Sequence, residues 1–252
     1  MIIIKTQKEI EVMRIGGKRL SEIMLELGKM AEPGTNTHKI DELARKLIFD
    51  FGGVPIFEGY GGPENPYPGA VCASINSEIV HGIPRKDRVL KEGDILKIDV
   101  GMKYEGMITD MARTFPVGKI SAEAQKLLDV TKESLNLGIE EIQSGKKLSD
   151  YSRAVQRYVE SNGFSVVRNL VGHGVGKELH EDPQIPNYIN GTRDLVWKEG
   201  MTIALEPMVN AGTSKMFLES DGWTYVTKDG KLSAHFEDTI VVTKKGSDIL
   251  TR

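Results

Sequence analysis

The chain carries one ordered series of signals twice, and this repetition restricts its fold more than any other feature. In the first copy a helix-forming stretch lies between Gly34 and Gly52, and in the second between Gly145 and Gly163, at the same glycine-to-glycine distance. Apolar positions match across the copies: Ile40 with Tyr151, Leu47 with Tyr158, Ile48 with Val159. In each half a pair of helices comes first. A His-Gly follows, at His81-Gly82 and His173-Gly174, and then Lys-Glu-Gly, at Lys91-Glu92-Gly93 and Lys198-Glu199-Gly200. Six residues past that glycine stands a carboxylate, Asp99 or Glu206. Lys-Glu-Gly alone is a common surface turn, but the ordered series is hard to reach by chance. It reads as an ancient duplication within one domain, with halves at about 1–118 and 119–252, each α/β and related by a pseudo-twofold axis. A site on that axis receives equivalent groups from both halves.

The apolar spacing supplies the elements. Ile10, Met13, Ile15, Leu20, Ile23, Met24 and Leu27 recur at helical intervals, as do Ile40, Leu43, Ala44, Leu47 and Ile48 after Pro33-Gly34. A third helix is expected from an N-cap at Ser121, carrying Ala124, Leu127, Leu128, Leu135, Ile139 and Ile142. A fourth is expected from near Ser149 to a stop at Asn162-Gly163. Ile95–Val100, Thr202–Leu205 and Thr239–Val242 read as buried strands, and the Gly- and Pro-rich stretch 58–70 as loop.

Several function classes fall away on composition. A net charge of −3 gives no electrostatic reason to expect nucleic-acid binding. No run approaches the ~20 apolar residues of a membrane span, and the opening MIIIKTQKEIEVMRIGG is too quickly charged for a signal peptide. The one cysteine, Cys72, rules out an intrachain disulfide and a thiolate zinc cluster, and fits a reducing, cytoplasmic setting.

Chemistry gathers at a few strand ends. Asp99 follows Leu96-Lys97-Ile98, at the expected end of its strand. Asp110 comes eleven residues later, past the turn-like Lys103–Gly106, so the two share a face if the hairpin register has the right parity. Glu206 ends Ala204-Leu205, and Glu237 precedes Asp238-Thr239-Ile240. Any one of these could simply end a strand, or join a buried salt bridge. A buried carboxylate must be paired, neutral or bound to a cation. His173 stands between Gly172 and Gly174, which allows close approach to the imidazole; alone it would also suit a flexible loop. If the four carboxylates and this imidazole converge, two divalent ions balance the charge. Such a donor set suits Mn²⁺, Fe²⁺ or Co²⁺, with Zn²⁺ as a further choice. A pair of such ions is suited to amide hydrolysis. His81 and His180 are then candidate hydrogen-bond donors to substrate and oxyanion, whereas His38 reads as a surface residue.

These segments resemble the type 1 methionine aminopeptidases. Lys97–Gly101, Thr109–Phe115, Gly172–Gly176, Ala204–Pro207 and Phe236–Thr239 are similar to that family's five ligand segments, in order and spacing, from about residue 3 to about 245. The resemblance implies an α+β pita-bread fold, with two pseudo-symmetric α/β halves around a central curved antiparallel sheet. It implies a dinuclear centre in which Asp110 and Glu237 bridge, Asp99 chelates one ion, and His173 and Glu206 hold the other, with Glu206 also shuttling a proton. His81 and His180 match two substrate-contacting histidines, and Cys72 and Trp223 match walls of a methionine pocket. Tyr67 is the candidate for a further aromatic wall. Asn76 and Ser233 match positions that hold a monovalent cation in some members. The implied substrates are peptides and nascent polypeptides with N-terminal Met, met in the cytoplasm with transient ribosome contact and with the enzyme as a monomer.

The chain departs from the family at Leu179, where Phe is frequent, at His235, where Gln is usual, and at Asp238, where His is usual. Xaa-Pro peptidases of the same fold share the five ligands but usually carry an extra N-terminal domain. Non-catalytic relatives tend to lose ligands that are all present here.

Overall fold

The computed structural model describes residues 1–191 and 194–252. In the first half helices α1 (Gln7–Gly28) and α2 (Thr37–Phe51) precede strands β1 (Val54–Pro55), β2 (Cys72–Ile75), β3 (Glu78–Val80), β4 (Ile95–Tyr104) and β5 (Met107–Pro116). In the second, α3 (Ala122–Glu140) and α4 (Leu148–Ser161) precede β6 (Ser165–Val166), β7 (Gly172–Gly174), β8 (Glu181–Ile185), β9 (Thr202–Leu205) and β10 (Met208–Asn210). There follow β11 (Met216–Leu218), β12 (Tyr225–Thr227), β13 (Ser233–His235), β14 (Glu237–Thr243) and β15 (Gly246–Ile249). Among the described residues no helix is long and apolar enough to cross a membrane.

Helix boundaries follow local chemistry. Thr6 and Glu9 form a capping box at the start of α1, and the Ser121 hydroxyl accepts from Ala124 N at 3.1 Å at the start of α3. Gly52, at φ 88°, ends α2. The fourth helix opens at Leu148, beside the expected Ser149, with the Asp150 carboxylate accepting from Lys147 N and Ser149 bonding Asp194. Two expectations need correction. Ile15 falls on the outer face of α1 and is 46% exposed. Ile142 is buried, but beyond the end of α3.

The main sheet runs β1-β4-β5-β14-β9-β7-β8, with β2 also on β4 and β15 on β14. The pairings are antiparallel. Its strands read as nearly continuous apolar runs because both faces are buried, and the period of two sorts them. Leu96, Ile98, Val100, Met102 and Met111 pack in one core with α1 and α2. Ile203, Leu205, Ile240 and Val242 pack in another with α3 and α4. The intervening residues, Lys97, Asp99, Asp110, Ala112, Ala204 and Glu237, take the opposite face.

The two halves repeat each other's hydrogen bonds. Gly34 N donates to Leu90 O at 2.9 Å and Gly145 N to Trp197 O at 3.0 Å; Leu90 N returns to Thr35 O at 2.8 Å and Trp197 N to Lys146 O at 3.0 Å. Both starting glycines are left-handed, at φ 92° and 94°. The repeated His-Gly does not follow this correspondence. Lys97 and Ala204 each lie four residues past their Lys-Glu-Gly glycine, yet Ala204 is faced by His173 and Lys97 by Ser74. His81 instead follows β3, outside the main sheet. A dipeptide is too short to hold register through the intervening loops.

Backbone proximity yields a paired test. A Cβ on Gly17 would overlap the Leu250 carbonyl, whereas one on Gly16 would sit 3.4 Å from Tyr104 Cβ, an ordinary contact. Gly17→Ala is expected to cost about 1–3 kcal/mol from overpacking, although Ala favours helix by ~1 kcal/mol. Gly16→Ala should be neutral or slightly stabilising. Urea midpoints of the two variants check this.

Candidate metal centre

The sheet register assembles the site. Cys72 in β2, Asp99 in β4, Ala112 in β5 and Glu237 in β14 lie opposite one another in one row across four strands. Asp110 faces Gly101, two residues along β4 from Asp99, so both aspartates point to the same face. Asp99 is therefore mid-strand and not at a strand end, because β4 continues to Tyr104. On the other side His173 faces Ala204, and Glu206 follows the last residue of β9. Gly101, Ala112 and Ala204 stand between the polar groups and leave room for them; a Cβ at Gly101 would already lie 3.3 Å from Asp110 Oδ1.

Donor atoms of Asp110, His173 and Glu237 lie within 4.8 Å of one another. Glu206 Oε1 is 3.4 Å from His173 Nε2. Asp99 lines the same cavity and is within hydrogen-bonding reach of Asp110. His173 Nδ1 lies 2.9 Å from Gly174 O, a contact that needs a proton on Nδ1 and leaves Nε2 bare in the neutral ring. His173 is thus held in a short strand and not in a loose loop. Asp99 Oδ1, Asp110 Oδ1 and Glu237 Oε1 are buried without a hydrogen-bond partner. Orphaned carboxylate oxygens beside a bare imidazole nitrogen fit divalent cations, and a buried salt bridge does not explain them: no Lys or Arg side chain reaches these oxygens among the described residues.

The remaining expected residues surround this cluster. His81, at φ 59°, sits edge-on to Trp223 and Tyr225, with ring centroids at 6.4 and 5.9 Å. His180 stands at the mouth, 4.4 Å centroid to centroid from His173. Cys72, Tyr67, Trp223 and Leu179 form an apolar wall, and the Tyr67 hydroxyl donates toward Gly82 O at 3.0 Å. His38 lies away from the cavity and faces Glu42 on α2.

Sequence reasoning missed several neighbours. Tyr60 lines the cavity, with its hydroxyl 2.6 Å from His180 Nδ1. It lies in Gly59-Tyr60-Gly61-Gly62, the same glycine flanking that singled out His173. Phe57 adds to the wall. Lys5 pairs with Glu181, both side chains buried, and Glu181 Oε1 accepts from Lys177 N at 2.6 Å, which fixes the loop bearing Leu179 and His180. Nothing local in the sequence joins residue 5 to residue 181.

The three departures separate cleanly. Asp238 points to the far face of β14, held by Arg113 Nη2 at 2.6 Å and Arg252 Nε at 2.9 Å, so it leaves the centre untouched. His235 is 1% exposed, and its Nε2 is 3.8 Å from Glu206 Oε2 and 4.0 Å from Glu237 Oε2. Leu179 is buried in the wall. The carbonyls of Asn76 and Ser233, matched above to a monovalent-cation site, both accept from Lys97 Nζ, at 2.8 and 2.9 Å.

These surroundings fix the titration behaviour. Burial, then repulsion led by the Asp110 charge, pushes Asp99, Glu206 and Glu237 well above the carboxylate range, and burial pushes Asp110 up to about 7. Burial pulls His81 down to about 4 and His173 and His235 to about 3. An acid with a raised folded-state pKa binds more protons folded than unfolded, so stability falls as pH rises through that interval. Histidines with lowered pKa values act in the opposite sense, but only below their unfolded value of about 6.5. Metal-free protein is therefore expected to lose thermal stability as pH rises from about 6.5 through the Asp110 value of about 7 and beyond, with Mn²⁺ restoring more at the upper end. Thermal melts with and without Mn²⁺ test this, and a flat metal-free profile would contradict the clustering.

Comparison with known proteins agrees with this geometry. The metallopeptidase family M24 model matches residues 11–244. Methionine aminopeptidase 1 of Bacillus subtilis is 50% identical over 252 residues, covering 100% of both chains. The crystal structure of methionine aminopeptidase from Thermotoga maritima superposes with a TM-score of 0.95 at 46% identity, covering 100% of both chains. A prolidase from Pyrococcus horikoshii shares the fold, with a TM-score of 0.78 at 22% identity over 100% of this chain and 64% of that one. The curved antiparallel sheet with two helix-backed halves is the pita-bread fold of those structures. The chain belongs to metallopeptidase family M24 and, within it, to the methionine aminopeptidases.

Proposed function

We propose that this chain removes the N-terminal methionine of new polypeptides and peptides when the second residue is small. Asp99, Asp110, His173, Glu206 and Glu237 would hold two divalent ions, drawn from Co, Mn, Fe or Zn, with Asp110 and Glu237 as shared ligands, Asp99 serving one ion and His173 with Glu206 the other. The observation that carries the reading is the meeting of four carboxylates, two of them fully buried, and a bare imidazole nitrogen with an apolar wall in one cavity. The ions supply the charge that activates water and offsets the oxyanion of amide hydrolysis.

The chain's own groups do the rest. Glu206 takes the proton that the attacking water releases and passes it toward the leaving amine. His81 and His180 donate hydrogen bonds to the substrate and its developing oxyanion. Burial keeps the Tyr60 phenol protonated, so it donates to His180 Nδ1 and leaves the ring proton on Nε2. The methionine side chain, unbranched and polarizable, fills the space beside Cys72, Tyr67 and Trp223. The free amine binds near the ions, which restricts attack to the first peptide bond. The enzyme works in the cytoplasm as a monomeric single domain on nascent chains, with transient ribosome contact, and its halves descend from one duplicated unit.

Substrate choice tests the proposal. Met-Ala-Ser should be cleaved far faster than Met-Lys-Ser in the presence of Mn²⁺ or Co²⁺. One methylene is worth only ~1–3 kcal/mol in such a pocket, so Leu-Ala-Ser should be cleaved slowly but measurably, helped by the shallower Leu179 wall. Equal kcat/KM for Met-Ala-Ser and Met-Lys-Ser would remove the small-residue rule, and faster Ala-Pro cleavage would move the activity to the Xaa-Pro branch. His81→Ala and His180→Ala should each retain their metal ions and lose about 10²–10³ in kcat. Metal analysis beside turnover checks the pair, since loss of an ion would make either residue a ligand.

A further inference from the structure

A buried lysine ammonium ordinarily pairs with a carboxylate. Lys97 is 1% exposed, and its Nζ donates to two backbone carbonyls, Asn76 O and Ser233 O, at 2.8 and 2.9 Å. The neighbouring acids are engaged elsewhere. Glu78 pairs with Arg88 and accepts from Ile75 N. Asp94 accepts from Asn76 Nδ2 and Lys91 N, both at 2.8 Å. Two carbonyl dipoles converging on a desolvated charge are the donor set that also holds a bare alkali cation.

The two carbonyls come from different halves. Asn76, left-handed at φ 52°, turns the chain between β2 and β3, and β3 leads directly to His81. Ser233 opens β13, which runs through His235 into Glu237. Ser233 N also donates to Asn76 O at 3.0 Å, and Thr114 Oγ1 donates to His235 O at 2.7 Å at the other end of β13. Lys97 stands on β4 two residues before Asp99 and on the same face. One ammonium thus joins the turn before His81, the strand of Asp99 and the strand entering Glu237.

We propose that Lys97 is a tethered cation, whose ammonium fills a two-carbonyl cation site between the halves and positions His81 and Glu237 without a dissociable monovalent ion. Lys97 touches none of the reacting groups, so it is a positioning residue. Its kinetic consequence rests on the aminopeptidase reading above; its effect on stability does not.

The experiment compares K⁺ and methylammonium with tetramethylammonium, which is too large to sit between the carbonyls. Wild-type protein should show the same turnover of Met-Ala-Ser and the same thermal midpoint in each. Lys97→Ala should lose about tenfold in kcat in tetramethylammonium, with a smaller change in KM, and recover several-fold in K⁺ or methylammonium. Lys97→Met fills the space without charge and should lose activity without recovering. A matching cation-dependent rise in the thermal midpoint of metal-free Lys97→Ala reports the site apart from any reaction. Severalfold activation of the wild type by K⁺ would overturn the proposal, and that arm decides it even if Lys97→Ala fails to fold. Full activity of Lys97→Ala in tetramethylammonium, or a folded variant whose turnover and melting ignore every cation, would overturn it as well.

Discussion

Repulsion among four carboxylates buried on one face of a sheet is the constraint to which the rest of this structure answers. Asp99, Asp110, Glu206 and Glu237 line one cavity, and oxygens of Asp99, Asp110 and Glu237 have no hydrogen-bond partner. In an unliganded interior burial, and for Asp99, Glu206 and Glu237 also the Asp110 charge, favours protonation, which is why their pKa values rise. The fold tolerates it because the opposite face of the same strands is largely apolar. Two separate cores, one per half, hold β4, β5, β9 and β14 in register whatever happens at the centre.

The division of labour is set by the pleat. Successive residues of β4 alternate between the α1–α2 core and the site, and β9 and β14 do the same against α3 and α4. Small residues at Gly101, Ala112 and Ala204 leave the intervening positions open, so the polar groups meet across the gaps. Charged groups at the margin then fix what the sheet does not. Lys5 and Glu181 fasten the loop of His180, Arg113 and Arg252 hold Asp238 on the far face, and Lys97 spans the halves. Each draws together segments distant in sequence.

The fold and the carboxylates that line the cavity were legible because they depend on local pattern and order. Helical spacing in Ile10–Leu27, the Ser121 cap, and the carboxylates at fixed distances after Lys-Glu-Gly are all readable along the chain. The hairpin parity of Asp99 and Asp110 was left open by sequence, since one residue of slip would reverse a side chain, and the register Gly101–Asp110 decides it. The equivalence of His81 with His173 failed for the same reason. The contacts of Tyr60 with His180 and of Lys97 with Ser233 join residues more than a hundred positions apart, which no spacing rule reaches.

The most direct test of this account is the number of divalent ions bound per chain, measured by calorimetric titration of Mn²⁺ or Co²⁺ into metal-free protein beside its Asp110→Asn variant. Two ions per wild-type chain are predicted, with both binding events weakened in the variant if the two ions share Asp110 as proposed. A single ion per chain, or two ions bound with unchanged affinity after Asp110→Asn, would contradict a centre organised by shared carboxylates.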